Sequence, residues 1–264
     1  MPIPKRVEKR LADGLRKFQP IISRARNKDI NEADTVRLVT DILYELFGID
    51  KYTQVTSEYA IRGRYVDLAI INPGEEQPSI LIEVKSIGTE LNDKHVRQAV
   101  DYAANQGVEW VILTNGQIWR FYKIVFSQPI ERELVDEVNL LELNHRAKRD
   151  LERLYPITPE GIKKNALEGK YRQRRVINRF FVAAVIRSER IVNAIQRELR
   201  RIEPEAKVTD EELLELIESE VLKREVVEED QAKEAERAVR RARNRLLRNR
   251  KKKVADRQKE EGDS

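Results

Sequence analysis

Two apolar runs in the first third of the chain have the composition of β-strands. Residues 64–71 are rich in β-branched and aromatic side chains, and residues 79–84 form a second apolar run. Asn72-Pro73-Gly74 lies between them, and these three residue types are typical of tight connections. The pattern therefore predicts two neighbouring strands joined by a short turn.

Three charged residues interrupt these otherwise apolar strands. Asp67 lies in the middle of the first strand, and Glu83 and Lys85 lie at the end of the second. Because side chains alternate along a strand, Glu83 and Lys85 point to one face, and Val84 points to the other face, into packing. Two carboxylates and an ammonium group on a largely buried sheet are costly unless they pair or bind a metal ion.

The rest of the first half of the chain alternates between helical and strand patterns. Apolar residues at spacings of three and four predict helices at residues 5–26, 31–47 and 93–106. Further strand patterns lie at residues 52–61, 108–113 and 118–125. Pro20 is expected to kink or break the first helix, and Asn115-Gly116 indicates a hairpin between the last two strands. The predicted fold class is α/β, with a mixed α+β sheet flanked by helices.

Beyond residue 126 the pattern predicts helices alone, in an all-helical C-terminal region. The predicted helices cover residues 134–154, 165–201 and 213–226. Their inward-facing residues are expected to include Val176, Ile177, Phe180, Phe181, Ala184, Leu213, Leu214, Ile217 and Val221. Pro156 and Pro159 mark a boundary. We therefore predict a sheet domain with an N-terminal helix at residues 1–155, a helical domain at 156–228 and a basic tail, helical or disordered, at 229–264.

Composition narrows the possible chemistry. The chain has 264 residues, 37% of them charged, with a formal net charge of +5, which is compatible with a polyanionic partner. It contains no cysteine and two histidines, which excludes a disulfide framework, a cysteine-based zinc site and a histidine-rich metal site. No apolar run has the length of a membrane span, and the N-terminus lacks an apolar signal region. We therefore expect a cytoplasmic protein without a membrane partner.

The charged residues of the two central strands are candidates for catalysis. Asp67 and Glu83, converging from neighbouring strands, would form the all-oxygen site that Mg²⁺ favours. Lys85 beside the ion would orient or deprotonate an attacking water, or neutralise a phosphate. This set suits metal-assisted hydrolysis of a phosphodiester. An ordinary polar strand face with a Glu–Lys pair explains the same residues equally well.

Two further candidates lie on the predicted helices of the first half. Glu32 is expected on the inward face of its helix, at the first turn, where a glutamate also simply complements the helix dipole. Gln98 and Tyr102 are i, i+4 partners expected to lie off the apolar stripe of their helix. That position suits residues that face a groove and residues that face water.

Basic residues form two groups in the second half. One group is a dense cluster interleaved with aromatic residues, made of Lys170, Arg172, Arg174, Arg175 and Arg179. It is suited to gripping a phosphate backbone, and a charged helix face explains it equally well. The other group is residues 240–253, a basic arm without acidic residues, for which DNA, RNA, a membrane surface and mere solubility remain open.

Several motifs together carry a resemblance to a known superfamily. In chain order they are Asn31-Glu32-Ala33-Asp34-Thr35, Val66-Asp67, Leu81-Ile82-Glu83-Val84-Lys85, Gln98-x-x-x-Tyr102, Leu113-Thr114-Asn115-Gly116 and Trp119-Arg120-Phe121-Tyr122. With Val66 in place of a frequent proline, this order resembles the PD-(D/E)XK nucleases. It resembles the N-terminal nuclease domain of type I restriction enzyme R subunits, and more closely the short prokaryotic proteins called predicted type IV restriction endonucleases.

The resemblance implies a restriction-endonuclease-like fold and a role for each motif residue. Asp67, Glu83 and the backbone carbonyl of Val84 would ligate Mg²⁺, or Mn²⁺ in its place, and Glu32 would complete or support the site. Lys85 would act on the attacking water. Gln98 and Tyr102 would steady Lys85 or a phosphate. The implied function is metal-dependent cleavage of DNA in restriction-type defence, without a small-molecule cofactor, as a homo-oligomer or with other restriction subunits.

Two other readings of the sequence stay open. A nuclease-like fold that binds nucleic acid or partner subunits without cutting them would use the same basic residues. A scaffold with a charged helical tail is the third possibility. Metal binding separates the first two, because an enzyme should bind Mg²⁺ or Mn²⁺ through Asp67 and Glu83, and a binding module need not.

Overall fold

The centre of the fold is a six-stranded mixed sheet whose strands follow one another in chain order. The strands are β1 (Val55–Ile61), β2 (Arg64–Ile71), β3 (Pro78–Val84), β4 (Trp110–Thr114), β5 (Ile118–Val125) and β6 (Glu131–Asn139). Neighbouring strands are antiparallel except β3 and β4, which are parallel. A parallel pair requires a long crossover, and helix α3 (Asp93–Gln106) provides it.

The structure is a computed structural model that describes residues 3–61, 64–205 and 207–262. The sequence also predicts a turn at Arg62-Gly63-Arg64, of which residues 62 and 63 lie outside these ranges. The chain forms two compact units, Met1–Tyr171 (unit 1) and Arg172–Ser264 (unit 2). The domain boundaries proposed at residues 155 and 228 stay predictions.

Unit 1 buries both faces of the sheet under helices. The helices on the first face are α1 (Lys5–Asn27) and α2 (Glu32–Asp41), and α2 continues as π-helical turns over Ile42–Phe47. Strand side chains that pack in this layer are Leu68, Ile70, Ile80, Ile82 and Ile112. Those that pack with α3 on the second face are Ala69, Leu81, Val111 and Leu113. This two-sided burial explains why β3, apart from Ser79 and Glu83, and β4 are mostly apolar. The break expected at Pro20 does not occur, because α1 runs through this residue as one helix.

The prediction of a helix at residues 134–154 is wrong. The structure has strand β6 at Glu131–Asn139, and a helix, α4, only at Lys148–Leu154. Strand β6 is the last in the sheet and pairs only with β5. An edge strand with one exposed face carries many charged residues, which weakens the apolar alternation that identifies a strand.

Several helices follow the sheet, and the long helices predicted there are interrupted. Unit 1 closes with a 3₁₀ turn, Tyr155–Ile157, then α5 (Pro159–Lys163) and α6 (Ala166–Val176), which runs into unit 2. Unit 2 adds α7 (Arg179–Ile186), α8 (Glu189–Ile202), α9 (Asp210–Leu216) with π-helical turns at Ile217–Val221, α10 (Arg224–Glu228) and α11 (Asp230–Gly262).

A capping residue accounts for the break between α6 and α7. Asn178 is extended, and its side chain accepts hydrogen bonds from the backbone of Phe180 and Phe181, so a new helix begins there. Val176 and Ile177 therefore do not face a core, and both are exposed, as is Val221. The architecture of a mixed sheet flanked by helices, followed by a helical C-terminal region, is confirmed. No described helix is long and apolar enough to cross a membrane.

Candidate functional site

The candidate site is built where β2 and β3 lie side by side. Leu68 pairs with Ile82, which places Asp67 and Glu83 at the next position of the antiparallel register. The backbone N–H of Val84 donates a hydrogen bond of 2.7 Å to Oδ2 of Asp67. The carboxylates of Asp67 and Glu83 therefore approach each other, as the alternation of the two strands predicted.

Lys85 lies between two glutamates at this site. Its Nζ atom donates a 2.7 Å hydrogen bond to Oε1 of Glu83 and lies 3.5 Å from Oε2 of Glu32. Glu83 is only 6% exposed, so this pair is largely shielded from water. The predicted placement of Glu83 and Lys85 on the same face agrees with this contact.

Burial and neighbouring charges together determine the pKa values of the three charged groups. It raises the pKa of Asp67 more than the Val84 N–H and the Lys85 ammonium lower it. Burial also raises the pKa of Glu83, which Lys85 opposes and Asp67 reinforces. For Lys85, burial alone would lower the pKa, but the neighbouring carboxylates outweigh it, and the net pKa is raised. Lys85 is therefore a stable ammonium group, and the two buried carboxylates lack enough positive charge around them.

Glu32 reaches this site from the start of α2. Asn31 caps the helix by accepting a 2.9 Å hydrogen bond from the backbone N–H of Asp34, as the sequence predicted. The Glu32 side chain is not packed inward, since 51% of it is exposed, but its carboxylate is directed toward Lys85. The structure thus brings Glu32, Asp67, Glu83 and Lys85 to one location.

The donor set suits a hard divalent cation. Among the described residues, no three histidine, cysteine or acidic side chains are close enough to form a ready-made metal cluster. Mg²⁺, however, is commonly held by one or two carboxylates and keeps several water ligands. Asp67 and Glu83 provide such a pair, and both have a raised pKa that a cation would offset. Their role as ligands, with the Val84 carbonyl and Glu32, stays a prediction.

Gln98 and Tyr102 form a hydrogen-bonded pair on α3, in which Gln98 is exposed and Tyr102 is buried. Nε2 of Gln98 donates a 2.7 Å hydrogen bond to the Tyr102 hydroxyl. Tyr102 is 4% exposed and belongs to the apolar cluster under α3, so its predicted position off the apolar stripe is wrong. Within the described residues, the hydrogen bonds of Lys85 Nζ go to Glu83 and Glu32. A role of the pair at Lys85 or at a phosphate stays a prediction.

The basic cluster of the second half has acidic neighbours. Lys170 forms an ion pair with Asp136 in unit 1. In unit 2, Arg175 lies 3.7 Å from a Glu234 oxygen, and Arg179 lies 3.5 and 3.7 Å from oxygens of Glu225 and Glu229. The remaining two members, Arg172 and Arg174, are exposed and also have interaction partners. Phosphate binding by these five residues stays a prediction, and the ion pairs supply a structural role for three of them.

The sequence motifs give Glu58 no role, but its backbone conformation is unusual. It lies in β1, where Ser57 pairs with Leu68 and Tyr59 with Val66, so that Glu58 stands opposite Asp67. Its φ angle is +49°, a left-handed conformation that residues with a side chain rarely adopt in a strand. Such conformations cluster at functional sites. Its charge also raises the pKa of Asp67.

We expect a glycine at position 58 to be better tolerated than an alanine. Glu58→Gly and Glu58→Ala remove the same charge, but only glycine adopts the left-handed conformation without steric cost. The glycine variant should be more stable than the alanine variant by about 1 kcal/mol. Urea unfolding of both variants measures the difference. An alanine variant as stable as the glycine variant would show that β1 is not strained at Glu58.

The sheet part of the chain is similar to a known protein family. Residues 35–138 match the family model described as type I restriction enzyme R protein N terminus (HSDR_N). The match relates this chain to restriction enzymes. It covers Asp67, Glu83, Lys85 and the Gln98–Tyr102 pair, begins just after Glu32, and ends within β6. No curated protein and no solved structure matches the chain. The predicted resemblance to the N terminus of type I R subunits is confirmed over residues 35–138. The closer resemblance to the predicted type IV restriction endonucleases and membership of the PD-(D/E)XK superfamily stay predictions.

Proposed function

We propose that this protein is a metal-dependent endonuclease that hydrolyses DNA phosphodiester bonds in a restriction system. The observation that carries the proposal is the convergence of two carboxylates, the partly buried Asp67 and the buried Glu83, with Lys85 hydrogen-bonded between Glu83 and Glu32. The similarity of residues 35–138 to the N terminus of a restriction enzyme subunit supports DNA as the substrate. It also supports a role among restriction proteins.

Each residue of the site has a task in this proposal. Asp67 and Glu83, with the carbonyl of Val84 and with Glu32 in support, would hold Mg²⁺ or Mn²⁺. The bound ion supplies Lewis-acid stabilisation of negative charge on the scissile phosphate and lowers the pKa of a water ligand. Lys85 presents N–H donors to the attacking water or to a phosphate oxygen, and Glu83 and Glu32 fix its position. The sheet excludes water behind the carboxylates, which strengthens these interactions.

The direct test is incubation of the purified protein with supercoiled plasmid and an excess of Mg²⁺ or Mn²⁺. Plain plasmid and plasmid with modified bases are tested in parallel, each with EDTA as a control. We expect nicked or linear DNA only with the metal ion. Intact plasmid of both kinds, from protein that still retards DNA on a gel, would contradict the proposal.

Binding without cleavage is the second candidate function. One observation favours it: the Lys85 ammonium group lies 2.7 Å from Oε1 of Glu83 and neutralises part of its charge. A binding module would retard DNA equally well with EDTA and with Mg²⁺, and would leave every plasmid intact. The plasmid experiment therefore separates the two candidates in one measurement.

A further inference from the structure

Helix α11 in unit 2 has one face that packs and one that does not. Ala232 and Ala235 are buried against Phe180, Ala183 and Val226, with Val239 partly buried beside them. These alanine and valine positions recur at spacings of three and four, so they define a single packing face of the helix. The opposite side of α11 is not used in this core.

Four arginines form a stripe on the unpacked side of α11. Arg237, Arg241, Arg245 and Arg248 follow one another at spacings of four, four and three residues, which places them on one face. All four side chains are exposed. Within the part of the chain that the structure describes, no acidic residue forms an ion pair with any of them. We call these four residues the arginine stripe.

The arginine stripe differs from the other basic groups of the molecule in its surroundings. Residues 237–253 contain ten arginine and lysine residues and no acidic residue. By contrast, Lys170, Arg175 and Arg179 are paired with acids, and Arg243 on the flank of α11 is paired with Glu189. Uncompensated like charges along a helix repel one another, and a polyanion relieves that repulsion.

We propose that the arginine stripe of α11 binds the phosphate backbone of duplex DNA. Residues 237 to 248 extend over about 16 Å of helix, since each residue rises about 1.5 Å. A double helix carries one negative charge per about 1.7 Å of its axis, so several phosphates lie within the reach of the stripe. Exposed guanidinium groups suit phosphate oxygens because they present several donors in one plane. The inference deepens the proposed function, on which it rests for the choice of DNA.

The test compares two full-length variants that lose the same charge from unit 2. The stripe variant carries Arg237→Gln, Arg241→Gln, Arg245→Gln and Arg248→Gln. The matched control carries Arg190→Gln, Arg197→Gln, Arg200→Gln and Arg201→Gln, four exposed arginines of α8, where acidic residues are interspersed. Glutamine keeps the helix propensity of arginine, and circular dichroism checks that both variants keep their helices. Affinity for a fluorescent duplex is measured by anisotropy in EDTA at several salt concentrations.

We expect the stripe variant to lose both affinity and salt dependence. Each phosphate contact contributes about 0.9 to the slope of log K against log salt, so loss of up to four contacts should flatten the slope by about 2 to 4. Affinity at physiological salt should fall at least about tenfold, and the control should stay within about threefold of wild type. EDTA prevents metal-dependent cleavage. The comparison therefore tests DNA binding by the arginine stripe independently of cleavage, even if the wild-type protein leaves plasmid intact.

Three results would overturn the assignment. One is an unchanged slope and affinity in the stripe variant. Another is an equal loss in the α8 control, which would indicate a general effect of net charge. The third is wild-type binding to single-stranded RNA or to vesicles of anionic lipid that is tighter than binding to the duplex and depends on the same four arginines.

Discussion

Replacing Lys85 by alanine should abolish cleavage of DNA while the protein still folds and binds DNA. Lys85 is the ammonium group that Glu83 and Glu32 hold at the candidate site, where the proposal gives it contact with the attacking water or a phosphate oxygen. Loss of a positioned donor of this kind typically costs about 10² to 10³ in rate, and loss of a group that also acts on the nucleophile costs more. We therefore expect a decrease of at least about 10³-fold.

The measurement is the initial rate of plasmid nicking at saturating Mg²⁺, with Lys94→Ala as the matched control. Lys94 is an exposed lysine near the start of α3, so its removal lowers the net charge equally without touching the site. Thermal unfolding and gel retardation of both variants verify folding and DNA binding. A Lys85→Ala rate close to that of Lys94→Ala would remove Lys85 from the mechanism.

Replacing Asp67 by asparagine should have two opposite effects, a loss of activity and a gain of stability. Burial raises the pKa of Asp67, which means that its ionised form is disfavoured in the folded protein. Asparagine is neutral, has the same shape, and its side-chain oxygen can still accept the hydrogen bond from the Val84 N–H. Without metal, the variant should therefore melt at a higher temperature, by roughly 2 to 4 °C.

The pH dependence of this difference follows from the direction of the pKa shift. The folded protein binds the proton of Asp67 more tightly than the unfolded chain, so the penalty of ionisation is fully present above the raised pKa. It disappears as the pH falls through that pKa and below the ordinary value of 3.8. The advantage of Asp67→Asn should accordingly be largest at neutral pH and vanish in acid.

Calorimetry with and without Mg²⁺ tests both effects together. The wild-type protein should gain stability from Mg²⁺, because an ion that binds only the folded state shifts the equilibrium toward it. Asp67→Asn should gain much less and should not cleave DNA. If Mg²⁺ stabilises the variant as strongly as the wild-type protein, Asp67 is not a ligand. Asp101→Asn, at an exposed position on α3, is the control for loss of one carboxylate.

The sequence was most informative where one physical rule determines the result. Alternation along β3 placed Glu83 and Lys85 on the same face, and the structure joins them by a hydrogen bond. Two-sided burial of β3 and β4 produced apolar runs that are easy to recognise. The cap at Asn31 follows from the chemistry of its side chain.

Features that depend on distant parts of the chain were not accessible to the same reasoning. The polar sequence of β6 has a pattern that predicts a helix, and its strand conformation depends on pairing with β5. Tyr102 is buried because Val66 and Tyr59 belong to the apolar cluster that packs with α3, which helical periodicity alone does not reveal. The left-handed conformation of Glu58 arises from the pairing of β1 with β2 and has no local signal such as glycine. The acidic partners of Arg175 and Arg179 lie more than 40 residues away in sequence.

The hydrogen bond between the Val84 N–H and Asp67 has a consequence for the entropy of binding. It fixes the orientation of the Asp67 carboxylate when β2 and β3 pair, before any ion or DNA arrives. Immobilising a flexible side chain on binding typically costs about 0.5 to 1.5 kcal/mol. At Asp67 this loss of rotational freedom occurs during folding instead. In the proposed metal site Asp67 would therefore be a preorganised ligand, and an incoming cation would need to order little besides its own water molecules.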